Sequence, residues 1–189
     1  MNLIGLGGTN GAGKDTVAEM LIERRGWLFV SLSDLLRIEA HNRGLEPNRE
    51  SLRTISAEWR REGGLGVLVE KAIEHFEPVK DQHEGLVVSS LRHPAEAMVV
   101  HEYGGRVVWV DADPQIRYKR VTSRARHNEH ALTFDEFMEQ ERHEMEHQGD
   151  VATLNMGDVK KLANMTLMND GDDMPAFYDH AERELIAGK

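Results

Sequence analysis

The chain has 189 residues, 40% hydrophobic and 30% charged, enough for one well-buried core and too few for two, so a single domain over 1–189 is expected. A formal net charge of −10 argues against gripping nucleic acid, which needs a basic face, and no apolar run approaches the length of about eighteen residues that a membrane span requires. Inside this acidic chain arginines cluster at Arg117, Arg120, Arg124 and Arg126 and again at Arg49, Arg53, Arg60 and Arg61, basic islands that suit small anionic ligands. With no cysteine, disulfides and thiolate metal sites are excluded; together with a start that lacks a basic stretch before its first apolar run, this points to a cytoplasmic protein.

The apolar run NLIGLG at 2–7 ends in glycines, and Val17, Met20 and Leu21 follow at helical spacing over 14–25, which predicts strand, loop, helix. WLFVSL at 27–32 reads as a second strand, followed by a helix over 33–42 that Ser33 would cap and Gly44 would end. From 47 to 76 the pattern stays helical, with Leu52, Ile55 and Trp59 on one face and Gly63-Gly64 as a hinge, so an all-helical insert is expected over about 33–76, in which Trp59 and Phe76 pack. GLVVSSL at 85–91 is a buried-type strand, 94–103 a helix and GRVVWVDA at 105–112 a fourth strand; Asp113-Pro114 then opens a helix, cap first and proline in the first turn. Thr133 and Glu136 have capping-box spacing and start a helix whose Phe134, Phe137, Met138 and Met145 share one side. A last strand is predicted at 165–168, then the turn NDGDD and a terminal helix from about Pro175. This alternation predicts an α/β fold with a five-stranded parallel sheet and helices on both faces.

The chemistry begins in GTNGAGKDT, residues 8–16. Gly8, Gly11 and Gly13 let the backbone of this loop, with Asn10 and Ala12 between them, turn successive amides inward at the positive end of the next helix, making a nest for a nucleotide β-phosphate. Lys14 would reach the β and γ oxygens and Thr16 the α-phosphate. Asp15 stands where such loops place the hydroxyl that touches Mg²⁺. In one reading it is a metal-orienting carboxylate moved into the loop, with Ser89 or Ser90 supplying oxygen from the third strand; in the other it is a solvent-facing acid favoured by the helix dipole.

Over nearly its whole length the chain resembles P-loop kinases of the nucleoside monophosphate kinase type. SLSDLLR at 31–37 is similar to the acceptor-side helix of adenylate kinases, which implies that Ser33, Asp34 and Arg37 lie by the acceptor, Arg37 on its phosphate; SSLRHPAE at 89–96 is similar to the stretch that gives a second such arginine, Arg92. Arg120 and Arg124, in RVTSR, match the lid-base pair that contacts ATP, while ANMTLMNDG at 163–171 resembles the last strand of dephospho-CoA kinases and places Asn169 by the adenine. The lysine-aspartate-threonine ending of the loop resembles phage deoxynucleoside monophosphate kinases, and the whole an archaeal group of kinase-like proteins. The resemblance implies a three-layer P-loop NTPase fold with an acceptor-binding helical insert and a short lid over about 127–148. It also implies Mg²⁺-assisted transfer of the γ-phosphoryl of ATP to a nucleoside or deoxynucleoside monophosphate, with Lys14, Arg92, Arg120 and Arg124 stabilising the spreading charge. Two alternatives are a dephospho-CoA kinase using Asp34 as base, and an ATP-binding switch or assembly factor with weak hydrolysis. Small nucleotides are the expected partners, and monomer and homodimer are equally compatible with the chain.

A rival motif is HEMEH at 143–147, which matches the zinc-protease pattern. Its setting, EQERHEMEHQGD, is almost wholly charged and offers nothing to hold zinc ligands rigid. It is therefore read as an exposed lid face, with Arg142 pairing among Glu139, Glu141 and Glu144, and His93, His127 and His130 without chemical roles.

Overall fold

The computed structural model describes residues 1–124, 132–146 and 149–186. Five strands, β1 (Leu3–Gly7), β2 (Leu28–Ser31), β3 (Leu86–Leu91), β4 (Arg106–Asp111) and β5 (Met165–Met168), form one sheet in the order β2-β3-β1-β4-β5. Every pairing is parallel. Parallel neighbours need crossovers, and the chain supplies helices α1 (Lys14–Arg25), α2 (Leu32–Asn42), α3 (Arg49–Gly63), α4 (Val67–Phe76), α5 (Pro94–Glu102), α6 (Pro114–Arg124), α7 (Phe134–Met145), α8 (Met156–Leu162) and α9 (Met174–Ile186).

The central strands β1, β3 and β4 are buried on both faces, and alternate residues feed two cores. Leu86 and Val88 of β3 with Val107 and Trp109 of β4 pack under α2–α5 and α8, whereas Val87, Val108 and Val110 pack with α1 and α9 through Val17, Leu21, Phe177 and Leu185. The fold is thus three-layered, with helices on both faces of the five-stranded parallel sheet. Phe76 lies in the first core, and Trp59 packs against it with the Lys71 ammonium 4.9 Å from its ring centre.

Local chemistry sets the element ends. Asp113 Oδ1 accepts from the backbone N–H of Gln115 at 2.8 Å ahead of Pro114, and Thr133 and Glu136 close a reciprocal capping box. One expectation is corrected and one element is new. The cap of α2 is Ser31, whose Oγ accepts from Asp34 N at 3.3 Å, because the helix starts at Leu32, directly after β2, and leaves Ser33 inside it. Helix α8 was not anticipated: its seven residues are too few to show a second turn of periodicity, yet Met156 and Val159 bury against the first core and Asn155 caps it.

The end of β3 is irregular, and the site depends on it. Leu6 pairs with Ser89 but Gly7 with Leu91, so Ser90 is an extra residue in the ladder. It adopts φ 74°, the one non-glycine residue with positive φ among the described residues. A bulge here re-aims the chain as it leaves the sheet. The turn that follows is held by Glu96, whose Oε2 accepts from the N–H groups of Arg92 (2.7 Å) and His93 (3.1 Å). Its Oε1 accepts from Arg60 Nη2 of α3 at 2.7 Å, with both side chains at most 1% exposed. Arg60 also donates to Ala152 O at 3.1 Å, and His93, itself buried, caps α5 and sits 2.8 Å from Val151 O. One carboxylate therefore joins α3, the β3–α5 turn and, through Arg60, the segment before α8.

Candidate active site

The site lies beyond the carboxyl ends of the strands, where open α/β sheets bind ligands. The loop after β1 runs between the ends of β4 and β5. Gly13, the residue before α1, has φ 95°, and a Cβ there would come within 2.2 Å of Asn169 Nδ2. A Cβ on Gly8 would meet Val110 O at 2.2 Å. The buried Asn169 donates to Ala12 O at 3.0 Å and so pins the loop from β5. No side chain caps α1, leaving its first N–H groups directed out of the loop. Thr9 Oγ1, in the same loop, is buried and has no hydrogen-bond partner among the described residues. Lys14 folds back, donating from Nζ to Gly8 O at 2.8 Å and Thr9 O at 2.9 Å. Burial first, and then the positive charge of Arg92, push its ammonium down from 10.5 to about 8, against the opposing pull of Asp15 and Glu144.

Asp15 is exposed at the start of α1 and leans toward β3, where the fully buried Ser89 points its Oγ at Asp15 Oδ1 from 3.4 Å. Ser90 Oγ lies 3.4 Å from that of Ser89. A carboxylate and a hydroxyl are hard oxygen donors, the set that suits Mg²⁺ shared with substrate phosphates.

Next to the loop opens a cavity of about 480 Å³ whose wall includes Asn10 of the loop. Leu32 and Leu36 of α2 and Leu52 of α3 give it an apolar side. Arg37, Arg49, Arg53 and Arg92 give it a cationic one. Arg92 and Arg49 converge on a single carboxylate, Glu144 of α7: Arg92 Nη1 is 3.2 Å from Oε2 and Arg49 Nη2 is 3.4 Å from Oε1. Gln140, one turn earlier on α7, accepts from Arg49 Nη1 at 2.7 Å.

Several residues expected at the site gather here: Asn10, Ser33, Arg37 and Arg92 line the cavity, and Lys14, Asp15 and Ser89 stand together at its loop side. Thr16 is half-buried in the first turn of α1, and Ala12 is fully buried and offers only its backbone. Asp34 does not line the cavity; it pairs with Arg37 at 2.6 Å. Arg120 donates to Asn169 O at 2.9 Å and Gly171 O at 3.2 Å, so its guanidinium secures the β5–α9 turn and does not point into the loop. Arg124 ends α6 and its side chain lies outside the described residues, as do Arg126, His127, His130 and His147. Arg117, from the same basic cluster, is buried and spends its charge inside the protein on Glu141, Asp111 and Ala112 O while its guanidinium packs on the Phe137 ring.

Sequence reasoning missed Gln140 and Glu144, and it read Arg49 and Arg53 only as part of a basic island suited to small anions, without placing them at the acceptor side. The signal was present: positions 49, 53, 56 and 60 fall on one face of α3, and all four line the cavity. The expectation of an exposed HEMEH face is corrected at its centre. His143 is exposed and 3.0 Å from Glu139, but Glu144 is only 14% exposed because the arginines draw it into the cavity. Arg142 pairs with Glu139 at 2.5 Å. No group of three metal-ligating side chains occurs among the described residues, and no helix among them is long and apolar enough to cross a membrane.

Residues 4–148 match the AAA domain family. A UPF0200 protein of Pyrobaculum aerophilum is 33% identical over 140 residues, covering 73% of this chain and 74% of the relative. One from Thermococcus onnurineus is 26% identical over 183 residues, covering 95% and 93%. Among solved structures, shikimate kinase from Bacteroides thetaiotaomicron superposes with a TM-score of 0.60 at 15% identity over 97% of each chain. A gluconokinase from Sinorhizobium meliloti gives 0.54 at 17% identity over 98% of this chain and 92% of its own. At such identities the likeness is one of fold alone.

Proposed function

This chain belongs to the AAA domain family and to the UPF0200 proteins, and on that premise we propose that it is an ATP-dependent phosphotransferase whose acceptor is a nucleoside or deoxynucleoside monophosphate. The observation that carries the reading is the cavity that begins at Asn10 of the loop and ends on the guanidinium groups of Arg49 and Arg92. A γ-phosphoryl group held by the loop amides and Lys14 would face an acceptor phosphate held by those arginines, with Arg37 and Arg53 at the rim. Two phosphates brought into line need little covalent help from the protein; positioning and charge stabilisation suffice. The acceptor is already an anion, so no general base is required. The apolar wall of Leu32, Leu36 and Leu52 suits a base or sugar face.

Asp15 and Ser89 would hold Mg²⁺, which when bound offsets charge on the phosphate oxygens. Asn169 and the turn secured by Arg120 would form the adenine side. The dephospho-CoA reading is disfavoured because its one candidate base, Asp34, is engaged by Arg37 outside the cavity wall. The test is a panel of acceptors with γ-labelled ATP and Mg²⁺. Label is expected on a mononucleotide; label on dephospho-CoA, or free phosphate alone, overturns the proposal.

A further inference from the structure

Two glutamates meet arginines in the wall of this cavity, and they are held very differently. Glu96 is fully buried, bonded at 2.7 Å to Arg60 and at 2.7 and 3.1 Å to two backbone N–H groups. The two at 2.7 Å have the length of strong charge-assisted bonds. Glu144 sits 3.2 and 3.4 Å from its arginines, reaches in from α7, and keeps contact with solvent. Glu96 is a fixed part of the frame. Glu144 is a counterion held loosely enough to exchange.

The geometry of the exchange is visible in which atoms meet. Arg49 and Arg92 each address a different oxygen of the one carboxylate, as two guanidiniums would grip two oxygens of a tetrahedral anion. The surrounding charge favours an anion richer than a carboxylate. Arg37 is matched by Asp34 and Arg60 by Glu96. Arg49, Arg53 and Arg92 have no carboxylate other than Glu144 among the described residues. Three cations against one anion leave an excess of positive charge while Glu144 is in place and a larger one once it is displaced, which a phosphate monoester dianion offsets more fully than a monocarboxylate.

We propose that Glu144 is an internal stand-in for the acceptor's phosphate: it occupies the anion subsite between Arg49 and Arg92 in the ligand-free protein and is displaced by a phosphate monoester dianion, so that it sets the threshold and the charge selectivity of acceptor binding. This rests on the phosphotransfer reading for its purpose but not for its test. Glu144 and its neighbour Gln140 hang from α7, which is anchored to α6 by the Arg117–Glu141 pair, so displacement needs only a side-chain rotation. Arg49 becomes a specificity-determining residue alongside Arg92.

The experiment measures binding without ATP. Inorganic phosphate is titrated into the full chain at constant ionic strength, followed by NMR shifts and by the phosphate-dependent rise in melting temperature, with acetate as the monoanion control. E144Q is expected to bind phosphate about tenfold more tightly than wild type, because the competing like charge is gone. Arg49→Gln in the E144Q background is expected to lose that gain. Acetate should discriminate little between the forms. Glu144→Asp, which keeps the charge but withdraws it by one methylene, should also bind phosphate more tightly, and it serves if E144Q folds poorly. Equal phosphate affinity in wild type and both Glu144 variants overturns the proposal, as does a gain that survives Arg49→Gln. Failure here with a labelled mononucleotide in the acceptor panel would leave the phosphotransferase standing; the opposite pair of results would leave an anion subsite whose acceptor is some other phosphate ester.

Discussion

The buried pair Arg60–Glu96 allows a test in which charge and packing separate. Arg60→Met retains most of the side-chain volume and removes the guanidinium, leaving the Glu96 carboxyl group 0% exposed with the N–H groups of Arg92 and His93 as its remaining partners. Breaking a buried pair from one side costs about 3–5 kcal/mol because the remaining charge is uncompensated. For a domain of this size each kcal/mol shifts the melting temperature by about 2–4 °C, so a fall of roughly 6–20 °C is expected. Adding Glu96→Gln removes the stranded charge while its carbonyl oxygen still accepts from the turn. The double variant should therefore regain most of the loss, to within about 1–2 kcal/mol of wild type. Thermal and urea melts of wild type, both single variants and the double variant complete the cycle. Additive losses would refute the reasoning, since they would mean that the two side chains act through packing alone.

Two further outcomes follow from the loop and the bulge. Lys14 has its folded-state pKa lowered to about 8, so between pH 8 and 10.5 the unfolded chain holds a proton that the folded one has released; stability rises with pH through that window, and the cost of burying the charge is fully present below 8. Polyphosphate binding favours the ammonium form, so ADP affinity by calorimetry is expected to be highest below pH 8 and to fall by up to about tenfold per unit above it, a dependence that Lys14→Met should abolish; a flat profile to pH 9.5 would contradict it. Ser90, at φ 74°, carries strain of about 1–3 kcal/mol that glycine relieves at the cost of extra chain entropy, so Ser90→Gly should raise the melting temperature slightly and Ser90→Val lower it by several degrees, and identical melts would show the bulge to be unstrained.

What could be read from the chain alone follows from how local each cause is. The loop was legible because three glycines and Lys14 act within a few residues, on a strand-to-helix turn that periodicity reveals. The central strands were legible because burial on both faces makes them largely continuous apolar runs, of which LVVSSL in β3 is one. The cavity was less so. Arg37 and Arg92 could be found by resemblance, but their partners depend on which distant segment folds over them. Arg49 meets Glu144 across 95 residues of chain, and nothing near either residue announces the meeting. Arg120 illustrates the reverse: its spacing suits a phosphate contact, while its guanidinium is occupied by two carbonyls of a turn about fifty residues away.

The placement of arginines along α3 brings these observations together. Arg49 and Arg53 stand toward its amino end over the cavity, and Arg60 lies about 16 Å beyond Arg49 along the axis at 1.5 Å per residue, buried against Glu96. The same carboxylate fixes the N–H of Arg92, the second arginine that faces Glu144. Glu96 therefore sets both sides of the anion subsite at once: through Arg60 it holds the helix that carries Arg49, and through the turn it holds the backbone of Arg92. The distance between the two guanidiniums is a property of the buried frame, whereas what lies between them is decided by Glu144, a side chain on a separate helix. A site built this way would keep its geometry if its counterion left, so an incoming phosphate would have to displace Glu144 but would not have to reorganise the two arginines that receive it.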